Sequence, residues 1–322
     1  MCDALTEKDN DEFSRSGGKL NRRDFSALST AAIVAAFVPG CASEQDATTP
    51  PPSAEGATPP AQSAQSTASV AVAPIEVVEQ DVEVTMQNGV SDCYFVHPAS
   101  GAHAAVLMWP DIKGLRPAFR AMGMRMAQAG YSVLVVNPFY RDAKAPVVGP
   151  DASFQDPDTR SFLFGMARKL TQEASMSDAR DYIAFLDAQS SVDTGRKVGT
   201  CGYCMGGPLI MRTAGAVPER VGAAASFHGG GLVRDSEDSP HLLIPQSPAH
   251  VLHAIAENDH ERSPDVKPAL EQAYADAGIP AEIEVYEGTL HGWCPPDSTV
   301  YNEAQAEKAW SRMLALYDGA LA

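Results

Sequence analysis

The segment Gly202-Tyr203-Cys204-Met205-Gly206-Gly207 sets a cysteine between glycines two residues away on either side, where a short β-type run gives way to helix-forming residues. A sharp strand-to-helix turn of this kind pushes its central side chain out above a sheet. Glycines on both sides let neighbouring backbone approach without a Cβ clash. Cys204 is therefore the candidate nucleophile. The same turn leaves the Met205 N–H at a helix start, aimed where an oxyanion would form beside the sulfur. Two other readings stay open: a buried cysteine with no chemistry, since free cysteine is among the most buried residue types, and a redox pair, since Cys201 and Cys204 form C-x-x-C. Cys201 lies inside the strand rather than at the head of a helix, which weighs against the redox reading.

Acyl transfer by such a nucleophile demands a carboxylate and then a histidine, each after a later strand. The apolar run 251–255 leads into Glu257-Asn258-Asp259, and the alternating run 283–286 leads into Gly288-Thr289-Leu290-His291-Gly292-Trp293. Asp259 is the candidate acid and His291 the candidate base. A trio of activated nucleophile, base and orienting carboxylate is the arrangement that lets a weak nucleophile attack an ester at neutral pH.

Those residues need a rigid sheet beneath them, and the rest of the chain supplies its elements. Runs 82–86 and 93–96 flank Asn88-Gly89, a hairpin signal. Residues 104–108 and 131–136 read as buried strands, with a helix over 115–129 ended by Gly130 between them. An irregular excursion over 137–175, of the kind that forms lids, precedes a helix over 178–188 that leads to the elbow strand. Further strands are expected at 221–227, 250–255 and 281–286, with helices at 264–277 and 301–317. Strand-helix alternation implies an α/β domain, a mostly parallel twisted sheet covered by helices on both faces.

The 322 residues carry a net charge of −17, which argues against a nucleic-acid partner because no basic patch is available to neutralise phosphates. Residues 1–41 read as an export signal: Asn21-Arg22-Arg23-Asp24-Phe25 is a twin-arginine pattern, followed by an uncharged apolar stretch to Val38. That stretch is shorter than the ~20 residues of a membrane span. Val38-Pro39-Gly40-Cys41 resembles a lipobox, making Cys41 the candidate lipidation site, with simple cleavage as the alternative. Residues 42–74, rich in Pro, Ala, Ser and Thr, form an expected disordered tether that cannot bury enough apolar surface to order itself. The domain is expected over 75–322, extracytoplasmic and tethered to a membrane through Cys41.

Together Gly202-Tyr203-Cys204-Met205-Gly206-Gly207, Asn258-Asp259-His260 and Leu290-His291-Gly292 resemble the dienelactone hydrolase family, a branch of the α/β-hydrolases with a Cys-His-Asp triad. The resemblance covers residues 78–320 and implies hydrolysis of an enol-lactone or related ester through a thioester on Cys204. It implies that His291 shuttles the proton and Asp259 orients the imidazole. Trp109-Pro110-Asp111-Ile112-Lys113-Gly114 is similar to the family segment bearing a glutamate and a second oxyanion donor. On that resemblance Ile112 supplies the donor and Asp111 stands where the thiol-activating glutamate would be, one methylene shorter. As a residue before a helix, Asp111 reads equally as a turn or capping group.

The family archetype holds a substrate carboxylate with two arginines. The stretch 155–160 resembles the segment carrying one, making Arg160 the candidate clamp, whereas Cys294-Pro295-Pro296 stands where the second is expected. Trp109, Tyr203 and Trp293, next to these motifs, are candidate substrate contacts. Phe227-His228-Gly229-Gly230-Gly231 follows the nucleophile instead of preceding it, so it reads as a post-strand turn with His228 near the pocket rather than as an oxyanion motif. Cys93 and Cys294 are expected as free thiols, and a Cys201–Cys204 bridge is disfavoured by elbow geometry. No cofactor is expected, and no metal site, because no Cys/His pair has ligand spacing. Beside the lactone or ester hydrolase, a broad esterase or acyl transferase with the same triad, and a thiol redox sensor or binding protein on the same fold, remain as alternatives.

Overall fold

Continuous apolar runs in the middle of the chain build strands buried on both sides. In the computed structural model, which describes residues 75–322, β3 (Ala105–Trp109) and β4 (Ser132–Val135) are buried at every position. They join β1 (Val77–Met86), β2 (Gly89–Pro98), β5 (Val198–Tyr203), β6 (Val221–Phe227), β7 (His250–Ala256) and β8 (Ala281–Tyr286) in one eight-stranded sheet. Its order is β1-β2-β4-β3-β5-β6-β7-β8. The β1–β2 hairpin is antiparallel and β2 pairs antiparallel with β4; every pairing from β4 to β8 is parallel. The leader, Cys41 and the tether lie outside the described residues.

Strand alternation sends side chains to two separate cores, as a parallel sheet covered on both faces requires. From β3, Ala105, Leu107 and Trp109 enter one layer and Val106 and Met108 the other. The first layer is closed by α2 (Pro157–Ala167), α3 (Gln172–Asp187), α4 (Gly206–Ala216) and α6 (Val266–Ala277). The second is closed by α1 (Pro117–Gln128) and α7 (Glu303–Ala320). A single-turn helix, α5 (Glu257–Arg262), begins immediately after β7.

The excursion expected to be irregular over 137–175 contains α2, and α3 starts at Gln172 rather than at 178. Local side-chain caps explain both. Asp156 Oδ2 accepts from the Thr159 N–H at 2.9 Å with Pro157 in the first turn, and Thr171 Oγ1 accepts from the Ala174 N–H at 3.2 Å. Capping compensates for the weak amphipathicity that made these stretches look irregular.

Phe119 on α1 is wholly buried and meets Tyr203, the residue before the cysteine, edge to face at 5.4 Å. Replacing it by alanine leaves the elbow unsupported on that side. A Phe119→Ala variant is expected to lose about 3–5 kcal/mol of stability, read as a lower urea midpoint at unchanged slope.

Candidate active site

The elbow is forced by close backbone contact. A Cβ on Gly202 would lie 2.1 Å from the Gly206 carbonyl oxygen, and one on Gly206 2.5 Å from that of Trp109. One on Gly207 would lie 2.5 Å from the Gly229 Cα. Only glycine fits at these points, so the first turn of α4 sits directly on β3, β5 and the loop after β6. Between them Cys204 takes φ 53°, the left-handed region that costs a non-glycine residue roughly 1–2 kcal/mol. Its N–H donates to the Phe227 carbonyl at 3.0 Å, and its carbonyl accepts from Gly207 at 3.0 Å and Gly230 at 3.3 Å. The Phe227-His228-Gly229-Gly230-Gly231 stretch is the expected post-strand turn, and it packs as a wall of the elbow.

Three consecutive residues after β7 are stapled to the loop after β8. Glu257 Oε2 accepts from the Gly288 N–H at 2.8 Å, Asn258 Oδ1 from the His291 N–H at 2.9 Å, and Asp259 Oδ2 lies 2.7 Å from His291 Nδ1. A carboxylate only accepts, so Nδ1 carries the proton and Nε2 is left for Cys204, whose side chain hydrogen-bonds His291. Burial works against a charge on His291, but the negative charges of Asp259 and the Cys204 thiolate outweigh it and hold the imidazole pKa well above its ordinary value. Asp259 is itself paired with Arg262 at 3.5 Å.

Cys204, His291 and Ile112 open on one cleft of about 430 Å³, shared with Asp111, Lys113, Arg116, Gln155, His228 and Asp297. Met205 forms the N-cap of α4. Among the described residues neither the Ile112 nor the Met205 N–H has a backbone acceptor outside the helices and strands, and donors of this kind can meet a developing negative charge.

The remaining candidates have other partners. Asp111 belongs to Arg116: its two oxygens take Nη1 at 2.7 Å and Nη2 at 2.9 Å, and Oδ1 also accepts from the Lys113 N–H at 2.9 Å. These bonds match the turn reading of Asp111, whose Oδ1 accepts from a backbone N–H two residues on. Arg160 sits in the first turn of α2, beside Asp156, and does not line the cleft. The guanidinium that does is Arg116, which also grips Asp297 at 2.7 and 3.0 Å. Trp109, Tyr203 and Trp293 are core residues. Trp109 donates to Thr213 Oγ1 at 3.0 Å, Tyr203 stacks on Phe227 at 4.8 Å and Trp293 on Tyr286 at 4.9 Å. Cys201 and Cys204 form no disulfide and enter opposite cores, because the strand sends Cys201 to the α1/α7 side. Sequence reasoning missed Arg116 and Asp297, whose pairing joins positions 181 residues apart; no local pattern announces such a contact. Asn258 was quoted without a role, though an amide next to the acid is the local signal for it.

A parallel sheet with a left-handed residue at the elbow, and an acid and a histidine after the next strands but one and two, defines an α/β-hydrolase. The fold agrees with a solved Klebsiella pneumoniae chain assigned as a dienelactone hydrolase, at a TM-score of 0.65 and 23% identity, over 76% of this chain and 99% of that one. The chain belongs to the dienelactone hydrolase family, whose model matches residues 92–321. Relatives include a carboxymethylenebutenolidase of Rhodococcus opacus, 23% identical over 70% of this chain and 85% of its own length. Another, from Pseudomonas putida, is 23% identical over 67% and 86%.

The raised pKa of His291 fixes the sign of a pH effect. The folded protein holds this proton more tightly than the unfolded chain. The resulting stability is complete below the ordinary value of 6.5 and lost as pH rises through the raised folded pKa. Melting midpoints measured from about pH 5 to about pH 9 are expected to decline less steeply in Asp259→Asn than in the parent, since the largest stabilising charge is gone.

Proposed function

We propose that this hydrolase of the dienelactone hydrolase family cleaves a small lactone or ester through a thioester on Cys204. The carrying observation is convergence: Cys204 at a left-handed elbow, His291 bonded to it and to Asp259 at 2.7 Å, and Ile112 lining one cleft with Cys204 and His291 while Met205 starts the helix after the elbow. The Cys204 thiolate attacks the carbonyl carbon, and the Ile112 and Met205 N–H groups meet the charge that develops on oxygen. His291 passes its proton to the departing alkoxide. It then takes a proton from water, which attacks the thioester; the C–O bond forms as the C–S bond breaks.

The substrate class follows from the cleft's charges. Arg116 is saturated by two carboxylates, so a substrate carboxylate finds no open guanidinium fork there. This favours a small uncharged ester or lactone over an acidic dienelactone, and with it the broad-esterase reading. The carboxymethylenebutenolidase names of the relatives support the lactone end of the same range. The twin-arginine leader and Cys41 support an extracytoplasmic, lipid-tethered placement, which membrane fractionation of cells expressing the full chain would check against Cys41→Ala.

Turnover of a short-chain aryl ester and of a dienelactone, with mass spectrometry of quenched enzyme, tests the reading. The parent is expected to carry an acyl group on Cys204. Cys204→Ala and His291→Ala are each expected to lose at least about 10³-fold in kcat. Unchanged turnover in either variant would exclude the thioester route.

A further inference from the structure

Two non-glycine residues among those described hold positive φ: the cysteine of the elbow, and His228 at φ 40°. His228 stands at the end of β6 as Cys204 does at the end of β5, so four successive strands, β5 to β8, deliver Cys204, His228, Asp259 and His291 to one edge. Its N–H donates to the Ala254 carbonyl at 2.8 Å, which pins the backbone in this conformation. The side chain is 1% exposed and lines the cleft with Cys204 and His291. Both ring nitrogens are buried and have no hydrogen-bond partner among the described residues.

Each feature opposes folding. Left-handed backbone strains a histidine, and a buried polar atom without a partner forfeits the hydrogen bonds it made to water. Glycine would remove the first cost and phenylalanine the second. Burial, followed by repulsion from a charged His291, holds the His228 pKa well below its ordinary value, so the ring stays neutral with one donor and one acceptor nitrogen. Its ring meets that of His291 at 5.1 Å between centroids, in a T-shaped contact. The contact sets the His228 ring against the candidate base, beside Cys204 in the same cleft.

We infer that His228 is a further catalytic residue, the second hydrogen-bond partner of the water that hydrolyses the Cys204 thioester. This rests on the acyl-enzyme reading above. Once the sulfur is acylated it bears no charge, and His291 Nε2 turns to water. A water held at one point rotates freely; an acceptor nitrogen on His228 takes its other hydrogen and leaves a lone pair facing the carbonyl carbon. The water gives one proton to His291, its oxygen bonds to the carbonyl carbon, and the C–S bond breaks with its electron pair going to sulfur, which restores the thiolate beside a protonated His291. His228 begins and ends neutral.

Pre-steady-state hydrolysis of p-nitrophenyl acetate by the parent, His228→Phe, His228→Gly and His228→Asn separates the two half-reactions. The aryl leaving group needs no help in departing, so the burst of nitrophenol is expected at the parental rate in all four. Steady-state turnover is expected to fall about 10²-fold in the Phe and Gly variants, with acetyl-Cys204 accumulating in the mass spectrum. Asparagine, which tolerates left-handed backbone and keeps a donor and an acceptor, is expected to recover most of the loss. The glycine variant keeps the test open should phenylalanine prevent folding. Parental turnover without accumulation in the Phe or Gly variant would overturn the assignment, as would equal slowing of burst and turnover. No acetyl group on Cys204 of the parent would instead overturn the thioester reading itself.

Discussion

The whole carboxyl edge of the sheet depends on how near the first turn of α4 can come to the strands beneath it. Three backbone contacts, Gly202 with Gly206, Gly206 with Trp109 and Gly207 with Gly229, are shorter than any Cβ permits. They draw β5, β3 and the loop after β6 against one helix end. That convergence brings the elbow and the segment of Ile112 together, so that Cys204 and Ile112 line one cleft. Strain in the Cys204 backbone is the local counterpart of this packing, held in place by the hydrogen bonds of Phe227, Gly207 and Gly230.

Two further devices fix the loops that the elbow does not reach. Glu257, Asn258 and Asp259 bind Gly288 and both the backbone and the ring of His291, so that the imidazole is oriented by its main chain as well as by its acid. Arg116 spans Asp111 and Asp297, tying the segment of Ile112 to the segment that follows His291. With side-chain exposures of 11% and 14% for Arg116 and Asp111, that pair is well shielded from water. Breaking such a pair typically costs about 3–5 kcal/mol. Burial disfavours the Arg116 charge, yet the two carboxylates hold it protonated above its ordinary range.

What could be read in the sequence was what local chemistry announces. The glycines around Cys204 and the acid and histidine after later strands each carry their own pattern, as do the buried strand runs, and they yielded the fold class and the three residues that the structure brings together. What could not be read was set by contacts distant in sequence or by strand parity. Arg160 stands in a stretch that resembles a family segment, whereas the guanidinium at the cleft, Arg116, is held by Asp297, far along the chain. Trp109, Tyr203 and Trp293 adjoin the motifs, but burial in the core takes their rings away from the cleft. Helix α2 escaped notice because its signal is a cap, Asp156 with Pro157, instead of an apolar stripe.

The clamp around Arg116 also governs which molecules arrive. Asp111, Asp151 and Asp297 face Arg116 and Lys113 around the cleft, three formal negative charges against two positive, so its mouth contributes only a single net charge of its own. The long-range field is therefore that of the entire chain, whose formal charge is −17. Diffusional encounter with an anion is slowed by such a field and recovers as added salt screens it, whereas an uncharged ester approaches at a rate indifferent to ionic strength. Selection between acidic and neutral substrates thus begins in the solvent, at distances where no side chain of the cleft has yet been touched.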